Sequence, residues 1–274
     1  MTDDWPKWSA GVFRRAPRYS LNLGMSSESS TQNNIVDHRD SYRRVSVPLR
    51  TWALLRAVMA VTILAAVVAQ ISASIATAIK LERDVATTIA NFFSFFTVLS
   101  NVAAAVVLLC AAILAIGKRR TIEPPSLSVL LVTVTTFMII TGVVYNVLLR
   151  NVELPQGSAP VPWSNEVLHL IAPLFLLLDL LLAPVRRRLP WRVLWAVLAF
   201  PIAWVTYTLV RGPMVVNPVT SQPYWYPYPF LDPYGPGGWV AVAGYVIAIA
   251  ITFVVVGAGV IALGRRFGRH PSPE

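Results

Sequence analysis

The sequence predicts an all-α membrane protein, a bundle of six transmembrane helices with both termini in the cytoplasm. Of its 274 residues, 55% are hydrophobic and only 13% are charged, whereas about a quarter of the residues in soluble domains are charged. The mean hydropathy of +0.60 is typical of a chain that lies largely in a bilayer. Apolar residues form long blocks, and basic residues lie between them. These observations exclude an ordinary soluble domain.

Six apolar blocks are long enough to cross a membrane. A helix needs about 20 mostly apolar residues to span a hydrocarbon core about 30 Å thick. The blocks that reach this length are approximately Thr51 to Ile79, Asn91 to Ile116, Leu127 to Leu149, Val161 to Leu182, Trp191 to Val210 and Trp239 to Leu263. The first block exceeds the core of a cleavable signal peptide and follows a long polar leader, so we interpret it as a retained span.

The distribution of lysine and arginine predicts the orientation, because cytoplasmic loops retain positive charge. The more basic side carries Arg39, Arg43, Arg44, Arg50, Lys118, Arg119, Arg120, Arg186, Arg187, Arg188, Arg265, Arg266 and Arg269. The opposite side carries Lys80, Arg83, Arg150 and Arg211. The first side is therefore predicted to be cytoplasmic, in a multi-pass protein of the cell (cytoplasmic) membrane.

The chain divides into a leader at 1–50, a transmembrane domain at 51–266 and a cytoplasmic tail at 267–274. The leader is basic and polar without an apolar period, which predicts a disordered cytoplasmic segment. Met25 is an alternative start. The net charge of +10 comes from basic residues between apolar blocks rather than on one folded face, so the predicted partner is the lipid bilayer and not nucleic acid.

Two reactive side chains, those of Thr97 and His169, are predicted to lie at the same depth in the outer half of the bundle. Polar groups inside spans are functional candidates because their burial in lipid is costly. Thr97 lies six residues below the outer end of the second span at Asn91, and His169 lies six residues below that of the fourth near Trp163. Both are about 9 Å deep. A structural role stays open for each, because such threonines often bond their own helix and such imidazoles pack between helices.

Three other polar residues are predicted near this pair. Ser94, Thr97 and Asn101 have the spacing of one helical face. Asn146 lies at a similar level in the third span. Ser94, Asn101 and Asn146 are therefore candidates to stabilise a developing oxyanion.

On the fourth span, Asn165 and Glu166 lie four and three residues before His169, on its face and within reach of its ring. Glu166 is the preferred group to orient the imidazole. Pro173 lacks the N–H that would bond the carbonyl of His169, so the helix is predicted to kink there.

Charged residues at the inner ends receive different predictions. Asp179 is ten residues deeper than His169, too far to bond it, and its expected partner is an arginine near the cytoplasmic side. Arg56 and Arg192 lie near the inner ends of their spans and are predicted to extend into the interface.

The loop at 212–238 is rich in aromatic residues and proline, with Tyr224-Trp-Tyr-Pro-Tyr-Pro-Phe-Leu-Asp-Pro233 at its centre. Amphipathic rings favour the membrane interface. The loop is therefore interpreted either as an interfacial belt or as a roof over an outward-facing cavity.

The sequence contains no glycine-rich phosphate loop, no Gly-x-Ser-x-Gly elbow and no His-Glu-x-x-His pair. His169 is the only histidine in a predicted span, which excludes a site built from several imidazoles. No metal or other cofactor is predicted.

Three runs carry a family resemblance over about residues 50–266. They are Phe96-Thr-Val-Leu-Ser-Asn101, His169-Leu-Ile-Ala-Pro173 continuing to Asp179, and Tyr228-Pro-Phe-Leu-Asp232. Together they resemble the bacterial Pr6Pr family of integral membrane proteins. More distantly, the same landmarks are similar to the androgen-induced and androgen-dependent tissue-factor-pathway-inhibitor-regulating proteins, multi-span threonine hydrolases that cleave fatty-acid esters of hydroxy fatty acids.

The distant resemblance implies a threonine nucleophile and a histidine base, which match Thr97 and His169. The sequence departs from that pattern at Ser100 and Asn101, where an acidic residue is expected, and in its leader of about 50 residues.

Three functional hypotheses follow. The first is an intramembrane threonine hydrolase of lipid or fatty-acid esters that opens to the outer leaflet. The second is a carrier or channel for a small solute or lipid, with Thr97, Asn101, His169 and Arg211 as ligands and Asp179 as its polar group in the inner half. The third is a non-catalytic scaffold whose leader binds partners.

Overall fold

The computed structural model describes residues 48–118, 123–150, 152, 160–184 and 187–267. These ranges are helical and contain no β-strand, and six of their helices are long and apolar enough to cross a membrane. The predicted all-α polytopic fold is confirmed. The leader before residue 48, the tail after Phe267, and Arg119, Arg120 and Arg186 lie outside the described residues.

The six spans are close to the predicted blocks. They are Leu49–Lys80, Phe96–Gly117, Pro125–Leu149, Pro162–Leu182, Val193–Met214 and Gly238–Phe267. We number them first to sixth in this order. Prolines near the start of the third and fourth spans suit the first helical turn, where no intrahelical N–H bond is lost.

The second span begins later than predicted, at Phe96 rather than Asn91. Asn91 belongs to a separate helix, Val85–Phe92, whose first turn is capped by Asp84 accepting from the main-chain N–H of Thr87. The chain turns at residues 93–95 before the span starts. Thr97 therefore lies in the first turn of its span instead of six residues below the outer end.

The third span is the centre of the bundle. It packs against the second, fourth, fifth and sixth spans, and 61% of its apolar window is buried within the protein against 22% for the fifth and sixth. The first and second spans pack along each other, and their buried faces include the alanines Ala60, Ala66, Ala104 and Ala105. Small side chains let helices approach closely where lipid gives no hydrophobic drive for association.

A cluster of aromatic rings holds the start of the second span. The Phe96 ring contacts Phe137 of the third span, Phe200 and Trp204 of the fifth, and Phe253 of the sixth, with ring centroids 5.2–5.8 Å apart. Offset and edge-to-face ring pairs add stability beyond the area they bury. Because Thr97 follows Phe96 directly, this cluster fixes the backbone position of Thr97.

The helix irregularity predicted at Pro173 takes the form of a π-helical turn, Val167–Ile171. Because Pro173 has no N–H, the carbonyl oxygen of His169 is free of the usual helical bond. It accepts instead from Nδ2 of Asn146 at 2.9 Å. The third span comes close at this point because Gly142 has no side chain: a Cβ there would lie 2.9 Å from Cβ of Pro173.

Candidate active site

Thr97 is half-buried beneath the aromatic loop. Its Oγ1 lies 3.2 Å from the hydroxyl of Tyr228, and its main-chain N–H donates to the same hydroxyl at 3.4 Å. The Thr97 hydroxyl is therefore paired across the bundle and not with a carbonyl of its own helix.

The aromatic loop folds inward over this region. Trp225, Tyr226, Tyr228 and Leu231 are buried, and the Tyr228 ring packs edge-on against that of Phe95. An interfacial belt would expose these rings to lipid headgroups, whereas here they are buried and the loop covers Thr97. The cavity predicted beneath the loop stays a prediction.

Tyr228 is a site residue that the sequence interpretation missed. Burial raises the pKa of its phenol, so the hydroxyl stays protonated at neutral pH. It accepts from the Thr97 N–H, which leaves its own hydrogen to donate. The signal in the sequence was the pair of flanking prolines, Pro227 and Pro229, which hold one tyrosine in an extended segment.

The His169 ring is held by its own span and by the third. Its Nδ1 lies 2.9 Å from the carbonyl oxygen of Asn165. A carbonyl only accepts, so Nδ1 carries the hydrogen and Nε2 of the neutral ring keeps its lone pair. The ring stacks on Tyr145 with centroids 3.6 Å apart, and the Tyr145 hydroxyl accepts from Nδ2 of Asn165 at 2.7 Å.

The expectation that Glu166 orients His169 is wrong. Both carboxylate oxygens of Glu166 accept from Arg150 at 2.9 Å in a bidentate pair. This geometry is the preferred one between a guanidinium and a carboxylate, and it holds Glu166 away from the ring. The backbone of Asn165 takes the orienting role instead.

Asn101 joins the turns that carry Thr97 and His169. Its Nδ2 donates to the carbonyl of Thr97 at 2.9 Å and to the carbonyl of Leu168 at 3.2 Å. The second and fourth spans are therefore neighbours at this level. Among the described residues, no hydrogen bond joins the Thr97 hydroxyl to the His169 ring.

Asn101 also presents an open acceptor. The residue is fully buried, and its Oδ1 has no hydrogen-bond partner within the described part of the chain. Buried polar atoms are nearly always bonded, so this oxygen is suited to a water molecule or to a hydroxyl of a bound ligand.

The predicted oxyanion donors have other roles. Ser94 lies in the turn before the second span, so it does not share a helical face with Thr97, and its hydroxyl donates to the carbonyl of Ala90. Both N–H bonds of the Asn146 amide go to main-chain carbonyls, those of Gly142 and His169. Asn101 uses both of its N–H bonds in the same way. These amides hold helices together, and Tyr228 supplies the hydroxyl that pairs with Oγ1 of Thr97.

Comparison of the chain with protein-family models, curated proteins and solved structures finds no match. The resemblance to the Pr6Pr family therefore stays a prediction. Within the described ranges, no group of three or more His, Cys, Asp or Glu side chains is placed to hold a metal ion.

A second polar cluster lies at the opposite ends of the spans, which the arginine distribution predicts to be cytoplasmic and which we call the inner ends. Asp179 is ion-paired with Arg56, with Nε 2.6 Å from Oδ1, so the predicted arginine partner is confirmed. Arg56 itself does not extend into the interface as expected: its side chain is 1% exposed and also binds Glu123 at 2.8 Å. Arg192 is exposed at the start of the fifth span, as predicted. Two buried carboxylates, near in space but distant in sequence, draw Arg56 inward.

Proposed function

We propose that this integral membrane protein is an intramembrane hydrolase of lipid or fatty-acid esters, with Thr97 as nucleophile and His169 as general base. The observation that carries the proposal is the Asn101 amide, which bonds the carbonyls of Thr97 and Leu168 and so holds the two turns side by side. The acyl-ester region of a lipid lies near the membrane surface, at the depth of the end of a span, where Thr97 lies in the first turn of the second span. The arginine distribution predicts that this end faces the outer leaflet.

The first chemical step joins the substrate acyl group to Thr97. Nε2 of His169 takes the Thr97 proton as Oγ1 attacks the ester carbonyl carbon, and the carbonyl electron pair moves to oxygen. The tetrahedral intermediate collapses with cleavage of the bond to the alcohol oxygen. That oxygen takes the proton from His169 and leaves as the free alcohol.

The second step uses water. A water molecule gives a proton to Nε2 of His169 as its oxygen attacks the acyl-threonine carbonyl. Collapse of this second intermediate breaks the bond to Oγ1 of Thr97 and releases the carboxylic acid. Oγ1 recovers its proton from Nε2 of His169. The open Oδ1 of Asn101 accepts a hydrogen from this water and positions it beside the two residues.

Tyr228 holds the resting state and stabilises the charged one. In the resting protein it is paired with Oγ1 of Thr97. The reaction requires Oγ1 of Thr97 to leave Tyr228 and meet Nε2 of His169, and rotation of χ1 between staggered rotamers is the motion open to this side chain. The phenol hydrogen then donates to the oxyanion as negative charge develops there.

The structure adds nothing to the two alternatives. The carrier hypothesis depends on Asp179 as a polar group in the inner half, but Asp179 binds Arg56 and the indole N–H of Trp52. The scaffold hypothesis depends on the leader, which lies outside the described residues.

The test is covalent labelling of the purified full-length protein with a fluorophosphonate probe, followed by peptide mass spectrometry. We expect the label on Thr97, retention of labelling in Thr97→Ser, and loss in Thr97→Ala. In His169→Gln the labelling rate should fall by about 100-fold or more, the usual effect of a lost general base.

Thr206→Ala is the matched control, because Thr206 is an exposed threonine that bonds its own helix at the carbonyl of Ile202. Its labelling should equal that of the unmodified protein. Labelling that survives in Thr97→Ala would overturn the proposal.

A further inference from the structure

A group of hydrogen-bond donors lies at the outer end of the fifth span, apart from Thr97 and His169. Arg211 is the last residue of the helix Val193–Arg211, and its Nη2 donates to Oδ1 of Asn91 at 2.7 Å. No carboxylate within the described ranges lies at salt-bridge distance from Arg211. Arg150, by contrast, is fully matched by Glu166. The charge of Arg211 is therefore available to an anion.

Two buried polar atoms beside Arg211 have no hydrogen-bond partner in the described part of the protein. One is Nδ2 of Asn91, on the same amide whose oxygen binds Arg211, and the other is Oγ1 of Thr208. Asn91 is 4% exposed and Thr208 is 3% exposed. Unsatisfied buried donors are rare because each costs free energy. Together with a guanidinium that has no carboxylate partner in the described ranges, they form a group of polar atoms suited to an anion.

Thr208 differs from two other threonines in the spans, Thr206 and Thr252, although Thr135 of the third span is also buried without a partner in the described part of the chain. Thr206 and Thr252 each donate to the carbonyl four residues earlier, which is the usual choice for a threonine in a helix. Thr208 makes no such bond and lies three residues before Arg211, on the same helical face. Its hydroxyl is therefore free to donate to a group that Arg211 binds.

The aromatic loop covers this donor group. The guanidinium carbon of Arg211 lies 5.4 Å from the centroid of the buried Trp225 ring, and the Trp225 main-chain N–H is bonded to Gly212. The indole face holds the guanidinium in one plane. This leaves the edge of the guanidinium, with its N–H groups, as the part that faces a ligand.

We propose that Arg211, Asn91 and Thr208 form a binding site for a phosphate group at the outer membrane surface. A guanidinium, an amide N–H and a hydroxyl come from two elements, the helix Val85–Phe92 and the fifth span. Donors from separate directions match the tetrahedral oxygens of phosphate better than the two coplanar oxygens of a carboxylate. The end of a span lies at the depth of lipid headgroups, so a phospholipid headgroup and free inorganic phosphate are the two sources of such a group.

The test measures binding to the full-length protein in a mild detergent by native mass spectrometry. The probes are dioleoylphosphatidic acid, dioleoylphosphatidylglycerol and dioleoylglycerol, which share acyl chains; the first differs from the last by the phosphate alone and the second by a phosphoglycerol headgroup. We expect both phosphate-containing lipids to be retained and dioleoylglycerol to be lost. Arg211→Gln and Asn91→Asp should each weaken retention at least tenfold. The new carboxylate in Asn91→Asp pairs with Arg211 and repels an anion, so this variant keeps the contact that supports folding.

Lys80→Gln is the matched control. It removes one positive charge from the same side of the bundle, at an exposed position outside the site. Retention within twofold of the unmodified protein is expected. If Lys80→Gln loses the phospholipid as readily as the site variants do, retention depends on general surface charge and the proposal is overturned. Unchanged retention in both Arg211→Gln and Asn91→Asp would also overturn it.

Two further arms identify the source of the phosphate. If inorganic phosphate raises the unfolding temperature of the unmodified protein but not of Asn91→Asp, while the lipid is not retained, the site stands and its ligand is free phosphate. If sodium oleate binds more tightly than the phospholipid and with the same dependence on Arg211, the site is a carboxylate site and the proposal is wrong. Thr97→Ala should retain the phospholipid fully, so this inference and the proposed hydrolase succeed or fail separately.

Discussion

At the inner end of the bundle, Arg56 is enclosed by Asp179 and Glu123, and the indole of Trp52 donates to the same Asp179 oxygen that binds Arg56. At the outer end, Thr97 and His169 are half-buried and each is bonded to a different neighbour. The first region is nearly dry and its charged groups bind one another, although Oε2 of Glu123 has no hydrogen-bond partner among the described residues. The second combines partial exposure with unpartnered atoms.

The difference separates a structural network from a site that is open to a ligand. Burial of an ion network costs free energy because its charges lose their water, and charges that bind one another have no freedom to exchange partners. Buried polar atoms without partners, such as Oδ1 of Asn101 and Nδ2 of Asn91, are stabilised when a ligand bonds them. Both regions are rich in polar residues, so their functions are distinguished by how those residues are bonded.

The strongest test of the comparison removes Arg56. Arg56→Met removes the guanidinium that binds two buried carboxylates, those of Asp179 and Glu123, which should cost about 3–5 kcal/mol of stability. Thermal and denaturant unfolding of the purified protein in detergent measures this loss. Arg211→Gln, at the half-exposed outer site, should cost about 1 kcal/mol or less.

A rescue variant sharpens this prediction. Arg56→Met combined with Asp179→Leu and Glu123→Gln removes both charges and should recover most of the lost stability, since apolar replacement of a buried ion network is often neutral. If Arg56→Met alone is as stable as the unmodified protein, the inner cluster does not support the fold.

The second test disturbs the roof of the outer site. A Cβ at Gly212 would overlap the Tyr226 ring, so Gly212→Ala should displace the aromatic loop and cost about 1–3 kcal/mol. Fluorophosphonate labelling of Thr97 should fall with it, because Tyr228 belongs to the same loop. Circular dichroism melting and the labelling assay measure the two effects.

Gly244→Ala is the control for this change, because no atom lies within 4 Å of a Cβ at Gly244. Alanine there should leave stability unchanged or raise it by up to about 1 kcal/mol through helix propensity. Equal stability of the two variants would contradict the packing of Tyr226 against Gly212.

The smallest expected effect is the pH dependence from Tyr228. Burial raises the pKa of Tyr228 in the folded protein, so above about pH 10 the unfolded chain loses this proton more readily than the folded one. The stability that the protonated Tyr228 contributes is therefore fully present below about pH 10, and the free energy of unfolding declines as the pH rises above that value. Tyr228→Phe should show a smaller alkaline loss, and at neutral pH it should lose only about 1 kcal/mol for the missing hydrogen bond.

Denaturant unfolding measured from neutral to alkaline pH tests whether the free energy of unfolding declines as predicted. Burial also raises the pKa of Tyr226, so Tyr228→Phe should retain part of the decline. An alkaline profile identical to that of the unmodified protein would show that Tyr228 ionises equally in both states.

Span number, span limits and helical class were predictable, because they depend on apolar length and composition along the chain. The start of the second span was not, because the chain turns at residues 93–95, inside a continuous apolar stretch, and so separates the helix Val85–Phe92 from the span. Arg56 was assigned to the interface by its position near a helix end. Its burial depends on Glu123 and Asp179, which lie 67 and 123 residues away in the sequence.

By itself, the sequence determined that the chain crosses a membrane six times, and that Thr97, Asn101 and His169 lie among apolar neighbours where a polar group needs a partner. Only the tertiary structure decided which partner each has: Tyr228 for Thr97, the Asn165 backbone for His169, Arg150 for Glu166 and Asn91 for Arg211. The physical reason is that burial of an apolar helix depends on local composition. A hydrogen bond between spans depends on the rotation and register of helices that pack against each other through residues far apart in the chain.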